Sequence, residues 1–61
     1  MNILGPYRQL VAEWNFDEEE KVYYGRISYI FDLVTFSCHH KKDLRKEFEM
    51  AVDDYLDNGN K

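Results

Sequence analysis

Three stretches of the chain alternate between hydrophobic and polar residues with the two-residue period of β-strands. We predict strands at about residues 8–16, 22–30 and 33–39. Their shared apolar side consists of Leu10, Ala12, Trp14, Phe16, Tyr23, Gly25, Ile27, Tyr29, Val34, Phe36 and Cys38. The short connection at Phe31-Asp32 predicts a hairpin between the second and third strands, so the three strands form an antiparallel meander.

After the third strand the hydrophobic period changes to that of an amphipathic helix, predicted at about residues 41–57. Its apolar stripe consists of Leu44, Phe48, Ala51, Val52 and Tyr55. Asn58-Gly59 is a typical C-terminal stop, because glycine tolerates the left-handed conformation that closes a helix. The start is less conventional, since His40 stands where a capping Ser, Thr, Asp or Asn is normally found.

These elements predict one α+β domain over residues 1–61, a three-stranded antiparallel β-meander with the C-terminal α-helix packed on one face (β-β-β-α). Gly25 is expected to mark a bulge, or a place where another group packs against bare backbone, with the helix as the candidate group. Two free sheet edges invite pairing with another chain, so we expect a homodimer or higher oligomer. The predicted core centre is Trp14, Ile27, Val34, Phe36, Leu44, Phe48, Val52 and Tyr55.

The net charge and the cysteine content limit the cellular compartment and the class of binding partner that we expect for the chain. The net charge of −4 repels phosphate backbones, so a basic protein is a better partner than a nucleic acid. The single cysteine, Cys38, cannot form an internal disulfide, and the N-terminal residues lack the pattern of a signal peptide. No apolar run approaches the length that spans a membrane. We therefore expect a cytoplasmic protein without membrane contact.

Two residue groups raise the possibility of catalysis or metal binding. Cys38, His39 and His40 adjoin each other, but consecutive strand residues point to opposite faces and do not converge on one ion or form a simple Cys-His nucleophile. A nuclease-like carboxylate cluster would need Asp32, Glu47, Asp53 and Asp54. Neighbouring helix residues diverge by about 100°, which argues against a shared metal site. We expect no catalytic residue, metal or cofactor.

The aromatic residues allow a second nucleic-acid hypothesis, a base-stacking platform on the sheet. The candidates are Tyr23, Tyr24, Tyr29, Phe31 and Phe36. Such platforms carry positive charge, which is missing here apart from Arg26 and the basic residues at 41–46. Packing in a core or a protein interface is the better account of these rings.

The order of motifs from the second strand to the helix resembles the N-terminal domain of HicB-family antitoxins. That family has a Tyr-x-Gly-x-Val strand, an Asp-x-Val-Thr-Phe strand and a helix ending Ala-Val-Asp-Asp-Tyr-Leu. The corresponding residues here are Tyr23, Gly25, Ile27, Asp32, Val34, Thr35, Phe36, Leu44, Phe48, Ala51, Val52, Asp53, Asp54, Tyr55 and Leu56. Cys38 and His40 depart from the family's usual glycine and Ser or Thr cap, so the turn into the helix is expected to differ.

The resemblance implies a reduced ribonuclease H-like fold without its catalytic apparatus, and therefore no enzyme activity. It implies that the chain neutralises a small basic HicA-type, mRNA-cleaving toxin by occlusion in a type II toxin-antitoxin system. Family members commonly continue into a DNA-binding domain, which residues 1–61 do not contain, so operator binding is not expected of them. The alternative is an orphan HicB-like oligomeric interaction or regulatory module with no cognate toxin.

Exposed acids are the candidate partner-binding residues, as electrostatic complements to a basic toxin. They are Asp17, Glu18, Glu19 and Glu20 in the first turn, and Glu49, Asp53, Asp54 and Asp57 near the helix end. Each group also has a simpler explanation: the first as a hairpin turn, the second as a solvated helix face that keeps the protein soluble.

Overall fold

The computed structural model describes residues 2–58, which form a four-stranded antiparallel sheet and one α-helix. The elements are β1 (Asn2–Tyr7), β2 (Leu10–Asp17), β3 (Val22–Ile27), β4 (Thr35–Cys38), a 3-10 helix (Lys41–Asp43) and α1 (Leu44–Asn58). Strand order in the sheet is β1-β2-β3-β4. The α+β class and the C-terminal helix are as predicted, whereas the prediction of three strands was wrong. Gly59, the predicted helix stop, lies outside the described residues.

The additional strand, β1, pairs with β2 through a two-residue turn at Arg8 and Gln9. Both residues have positive φ, 50° and 71°, as the preferred two-residue hairpin turns require. Asn and Gly normally occupy such positions, so a turn could not be predicted from the residues Arg8 and Gln9. Pro6 lies in the edge strand, where a missing N–H is tolerated because it does not interrupt a central ladder.

The connection between β3 and β4 is longer than predicted. The strands end and begin at Ile27 and Thr35, not near residues 30 and 33, so residues 28–34 form a loop. Tyr29 has a φ of 62°, which takes the chain out of the strand conformation. Its side chain is 94% exposed, so its predicted place on the apolar face was wrong. The antiparallel pairing of these two strands is confirmed.

The core lies between α1 and one face of the sheet. Its buried side chains are Ala12, Ile27, Phe36, Leu44, Phe48 and Val52, all from the apolar positions of the strands and the helix. Trp14 and Val34, predicted at the centre, are half-buried and pack against this cluster. Tyr55 is also only half-buried. The apolar face of the sheet and the apolar stripe of the helix therefore pack together as the sequence pattern predicts, but fewer of the predicted core side chains are fully buried than expected.

Gly25 is buried in the middle of β3, in regular register with Trp14 on one side and Phe36 on the other. The pairing of β2 with β3 contains no bulge at this point. A Cβ atom at Gly25 would lie 2.4 Å from Cζ of Phe36, so the ring of Phe36 covers the bare backbone. The prediction that another group packs against the bare backbone of this glycine is confirmed, but the group is the Phe36 ring and not the helix, and no bulge is present.

The start of the helical segment follows the sequence-based expectation. His40 is extended, with φ −122° and ψ 133°, and its side chain makes no capping hydrogen bond. Its carbonyl oxygen accepts hydrogen bonds from the Asp43 N–H, at 3.0 Å, and from the Cys38 thiol, at 3.2 Å. A short 3-10 turn and backbone bonds therefore replace the missing side-chain cap.

Candidate protein-binding surface

The β1–β2 turn is bound to the C-terminal half of α1 through Asp53. The Tyr7 hydroxyl donates to both carboxylate oxygens of Asp53, at 3.1 and 3.2 Å, and Arg8 Nη1 donates to Oδ1 at 2.8 Å. Arg8 Nη1 also lies 3.8 Å from Oδ1 of Asp57. Two of the predicted partner-binding acids are therefore already paired with a cation of the same chain.

Contact with Asp53 changes the acid-base behaviour of Tyr7 and Arg8. The hydrogen bond to the carboxylate, followed by desolvation, raises the pKa of Tyr7 above its ordinary value of 10.0. The same hydrogen bond raises the pKa of Arg8. Deprotonation of Tyr7 would replace an O–H donor by a phenolate directly beside a carboxylate, which is why the neutral phenol is favoured in the folded state.

The raised pKa of Tyr7 predicts a specific loss of stability in alkali. The folded state keeps the phenolic proton at a pH where the unfolded chain has begun to lose it, so the contribution is present below pH 10 and decreases as pH rises through 10 and the higher folded pKa. We expect Tyr7→Phe to flatten this decrease. The measurement is the free energy of unfolding of both proteins by urea between about pH 8 and about pH 11. Parallel curves for the two proteins would contradict the prediction.

The other helix acids differ in their surroundings. Arg45 Nε donates to Oε2 of Glu49 at 3.0 Å, an exposed i,i+4 ion pair of the kind that contributes about 0.3–0.5 kcal/mol. Asp54 is exposed, while Asp53 and Glu49 are half-buried. The helix end is thus less negative toward a partner than its sequence suggests, because Arg8 and Arg45 offset part of its charge.

The acidic turn between β2 and β3 is organised by its first residue. Oδ1 of Asp17 accepts hydrogen bonds from the backbone N–H groups of Glu19, at 2.9 Å, and Glu20, at 3.3 Å. This is the local role expected of an Asp at the start of a turn. The side chains of Glu18, Glu19 and Glu20 are exposed. Asp17 therefore shapes the turn, and the three glutamates project into solvent.

The sheet face opposite α1 forms an open groove of about 660 Å³. Strand alternation and register bring side chains from three strands to it, in rows such as Glu13, Arg26 and Thr35. The lining residues are Glu13, Asn15, Tyr24, Gly25, Arg26, Leu33, Thr35, Phe36 and Ser37. Tyr24 is 47% exposed there. A second hollow of about 330 Å³ adjoins it and shares Glu13, Arg26 and Leu33.

Beside this groove, the β3–β4 connection holds three large apolar side chains in water. Tyr29 and Leu33 are 94% and 76% exposed, and Phe31 is fully exposed. We call Tyr29, Phe31 and Leu33 the apolar loop. Sequence reasoning missed this surface, because it placed Tyr29 and Leu33 in strands, for which their composition is typical, and Phe31 in a short turn. The apolar loop and the groove form one continuous candidate binding surface, through the shared residue Leu33.

The surroundings of the residues considered for catalysis do not favour a catalytic role. Burial raises the pKa of the Cys38 thiol, whereas an activated cysteine nucleophile needs a lowered pKa. Asp53 is bound to Tyr7 and Arg8. Asp32 lies in the exposed part of the β3–β4 loop. Among residues 2–58, no three His, Cys, Asp or Glu side chains form a group suited to a metal ion.

Comparison with protein-family models, curated proteins and solved structures finds no match to this chain. Within the described part of the chain, no helix has both the length and the apolar character needed to cross a lipid bilayer.

Proposed function

We propose that the chain is a HicB-like antitoxin that neutralises a small basic HicA-type toxin in the cytoplasm by covering it. The observation that carries this proposal is the apolar loop: Tyr29, Phe31 and Leu33 are exposed side by side on a small domain, next to the groove. Exposed, contiguous apolar surface on a soluble domain is typical of a protein-docking site. The motif order that resembles the HicB antitoxins supplies the kind of partner.

The charge distribution supports a basic partner. The chain carries a net charge of −4, and the exposed glutamates of the β2–β3 turn add a concentrated negative patch. Opposite charge on a partner increases the rate of encounter more than it strengthens the final complex. Because Arg8 and Arg45 pair with acids of α1, Glu18, Glu19 and Glu20 contribute more to this attraction than the helix end does.

The apolar loop supplies the binding energy in this proposal. Aromatic side chains enclosed at the centre of an interface contribute most of the affinity, while charged residues at the rim contribute little. Phe31 is the most exposed of the three and enters the partner's surface most readily. Glu13 and Arg26, at the floor of the groove, provide polar groups that fix the orientation of the bound protein.

The proposal predicts that a small basic protein is encoded beside this chain, and the test is binding and inhibition of that protein. We expect a stoichiometric complex, no mRNA cleavage in its presence, and a dissociation constant raised by about 30-fold or more in the double variant Phe31→Ser/Leu33→Ser. Titration calorimetry measures the dissociation constants, and cleavage of a defined RNA measures inhibition. Both substituted side chains are exposed, so the fold is expected to remain intact.

Met50→Ser is the matched control, because Met50 is also an exposed apolar residue, 53% accessible, but lies on α1 and outside the apolar loop. Its affinity for the toxin is expected to equal that of the unmodified chain. A complex that is insensitive to the Phe31 and Leu33 changes would reject the apolar loop as the binding surface. Absence of both binding and inhibition would reject the antitoxin function and favour the orphan interaction module.

A further inference from the structure

β4 forms one edge of the sheet described by residues 2–58, and its outward backbone groups can be assigned. The Ile27 N–H donates to the Val34 carbonyl oxygen at 3.0 Å, so these residues form a hydrogen-bonded pair. Such pairs alternate along an antiparallel ladder, which makes Gly25 and Phe36 the next one. Thr35 and Ser37 therefore direct their N–H and C=O groups away from β3, toward the open side of the edge.

The opposite edge of the sheet contains a proline and a register shift, and β4 contains neither. β1 contains Pro6, which has no N–H, and its register with β2 shifts between Leu4 and Tyr7. Proline and register irregularities are common ways to block an edge strand. β4 has the uninterrupted sequence Thr35–Cys38 and regular register with β3. It is the edge at which a further strand is more readily added.

Charges on either side of β4 identify the strand that fits. Asp32 precedes the strand, and Lys41 and Lys42 follow it, all of them exposed. A second copy of β4 in antiparallel orientation places Asp32 of each chain near the basic end of the other. Parallel pairing would instead oppose like charges. The edge is thus complementary to itself around a two-fold axis, as a symmetric dimer interface must be.

We propose that β4 pairs antiparallel with β4 of a second copy of this chain, joining two four-stranded sheets into one continuous sheet. In the simplest register, Thr35 exchanges backbone hydrogen bonds with Ser37 of the second copy. These two residues lie on the same sheet face, so both α1 helices cover one side of the joined sheet. The dimer forms without the toxin, which makes this inference separate from the proposed function.

The test compares Ser37→Pro with Ser37→Ala by sedimentation velocity over a concentration series. Proline removes the outward N–H of residue 37, whereas alanine keeps it; the missing N–H lies on the solvent side and leaves the ladder to β3 complete. We expect the unmodified chain and Ser37→Ala to sediment with the mass of two chains, and Ser37→Pro with the mass of one. Circular dichroism checks that Ser37→Pro is folded.

A second variant decides the matter if Ser37→Pro does not fold. Asp32→Lys, in the exposed loop, is expected to weaken dimerisation about tenfold, because it opposes like charges at both ends of the paired strands. Adding Lys42→Glu is expected to restore association. A single-chain mass for the unmodified protein throughout the series, a dimeric folded Ser37→Pro, or an Asp32→Lys dimer of unchanged affinity would each overturn the proposal. Toxin binding by the unmodified chain is measured in parallel, because Ser37 itself lines the groove. A monomer that binds toxin would reject only the dimer, and a dimer that does not bind toxin would reject only the antitoxin function.

Discussion

Replacing Phe48 by alanine is expected to leave much of the chain unfolded at 25 °C. Phe48 is completely buried, and its ring centroid lies 6.0 Å from that of Phe36 and 6.4 Å from that of Tyr7. It therefore joins α1 to β4 and to the end of β1. Truncation of a buried Phe costs about 3–5 kcal/mol. A domain of this length has a total stability of roughly 3–9 kcal/mol, at about 0.05–0.15 kcal/mol per residue.

Urea unfolding followed by far-ultraviolet circular dichroism measures this effect. Met50→Ala is the control, because Met50 lies two residues further along α1 but is 53% exposed, and its change is expected to stay within about 0.5 kcal/mol. Phe48→Leu keeps most of the apolar volume and is expected to lie between the two. A Phe48→Ala protein as stable as the Met50→Ala protein would show that the packing of α1 on the sheet is not the main source of stability.

Gly25→Ala is expected to destabilise the protein by about 1–3 kcal/mol, although alanine is the smallest possible addition. The new Cβ would lie 2.4 Å from Cζ and 2.7 Å from Cε2 of Phe36, and 3.0 Å from the carbonyl oxygen of Glu13. The ring is 8% exposed and packs against Phe48, so it cannot move aside without disturbing the core. The carbonyl belongs to the neighbouring strand and is equally constrained.

A double-mutant cycle with Phe36→Leu identifies the cause of this loss. Leucine lacks the outer ring atoms that approach Gly25, so Gly25→Ala is expected to cost at least about 1 kcal/mol less in the Phe36→Leu background. The four unfolding free energies are obtained from urea titrations under identical conditions. If the two single changes are additive, the clash with Phe36 is not the reason for the glycine, and contact with the Glu13 carbonyl becomes the remaining explanation.

The helix and the central strands could be predicted from the sequence because their side chains follow one period and face one core. β1 could not, since Gly5-Pro6 is typical of a turn and is compatible with a strand only at a sheet edge. The Arg8-Gln9 turn lacks the Asn or Gly that normally marks a left-handed hairpin turn. β1 is recognisable as a strand only from its pairing with β2, and the pattern of hydrophobic residues gives no information about that pairing.

Prediction of the candidate surface was limited by the same missing contacts. The exposure of Glu18, Glu19 and Glu20 follows from a charged turn, and the structure has them in solvent. The ion pairs of Asp53 depend on the β1–β2 hairpin, so they could not be deduced from the helix pattern alone. Tyr29 was predicted in a strand and Phe31 in a short turn; the early end of β3 and the long loop that follows leave both uncovered.

Trp14 gives the protein a natural optical reporter of its folded state. It is the single tryptophan of the chain, half-buried on β2, with its ring 5.9 Å from that of Tyr23 and with the Lys41 ammonium 5.5 Å from its centroid. A cation held over an indole at this distance interacts with its π-electrons. The emission wavelength and intensity of Trp14 therefore depend on whether the segment leading into α1 is seated on the sheet. Local detachment of that segment becomes visible in the fluorescence of the unlabelled chain, separately from unfolding of the strands.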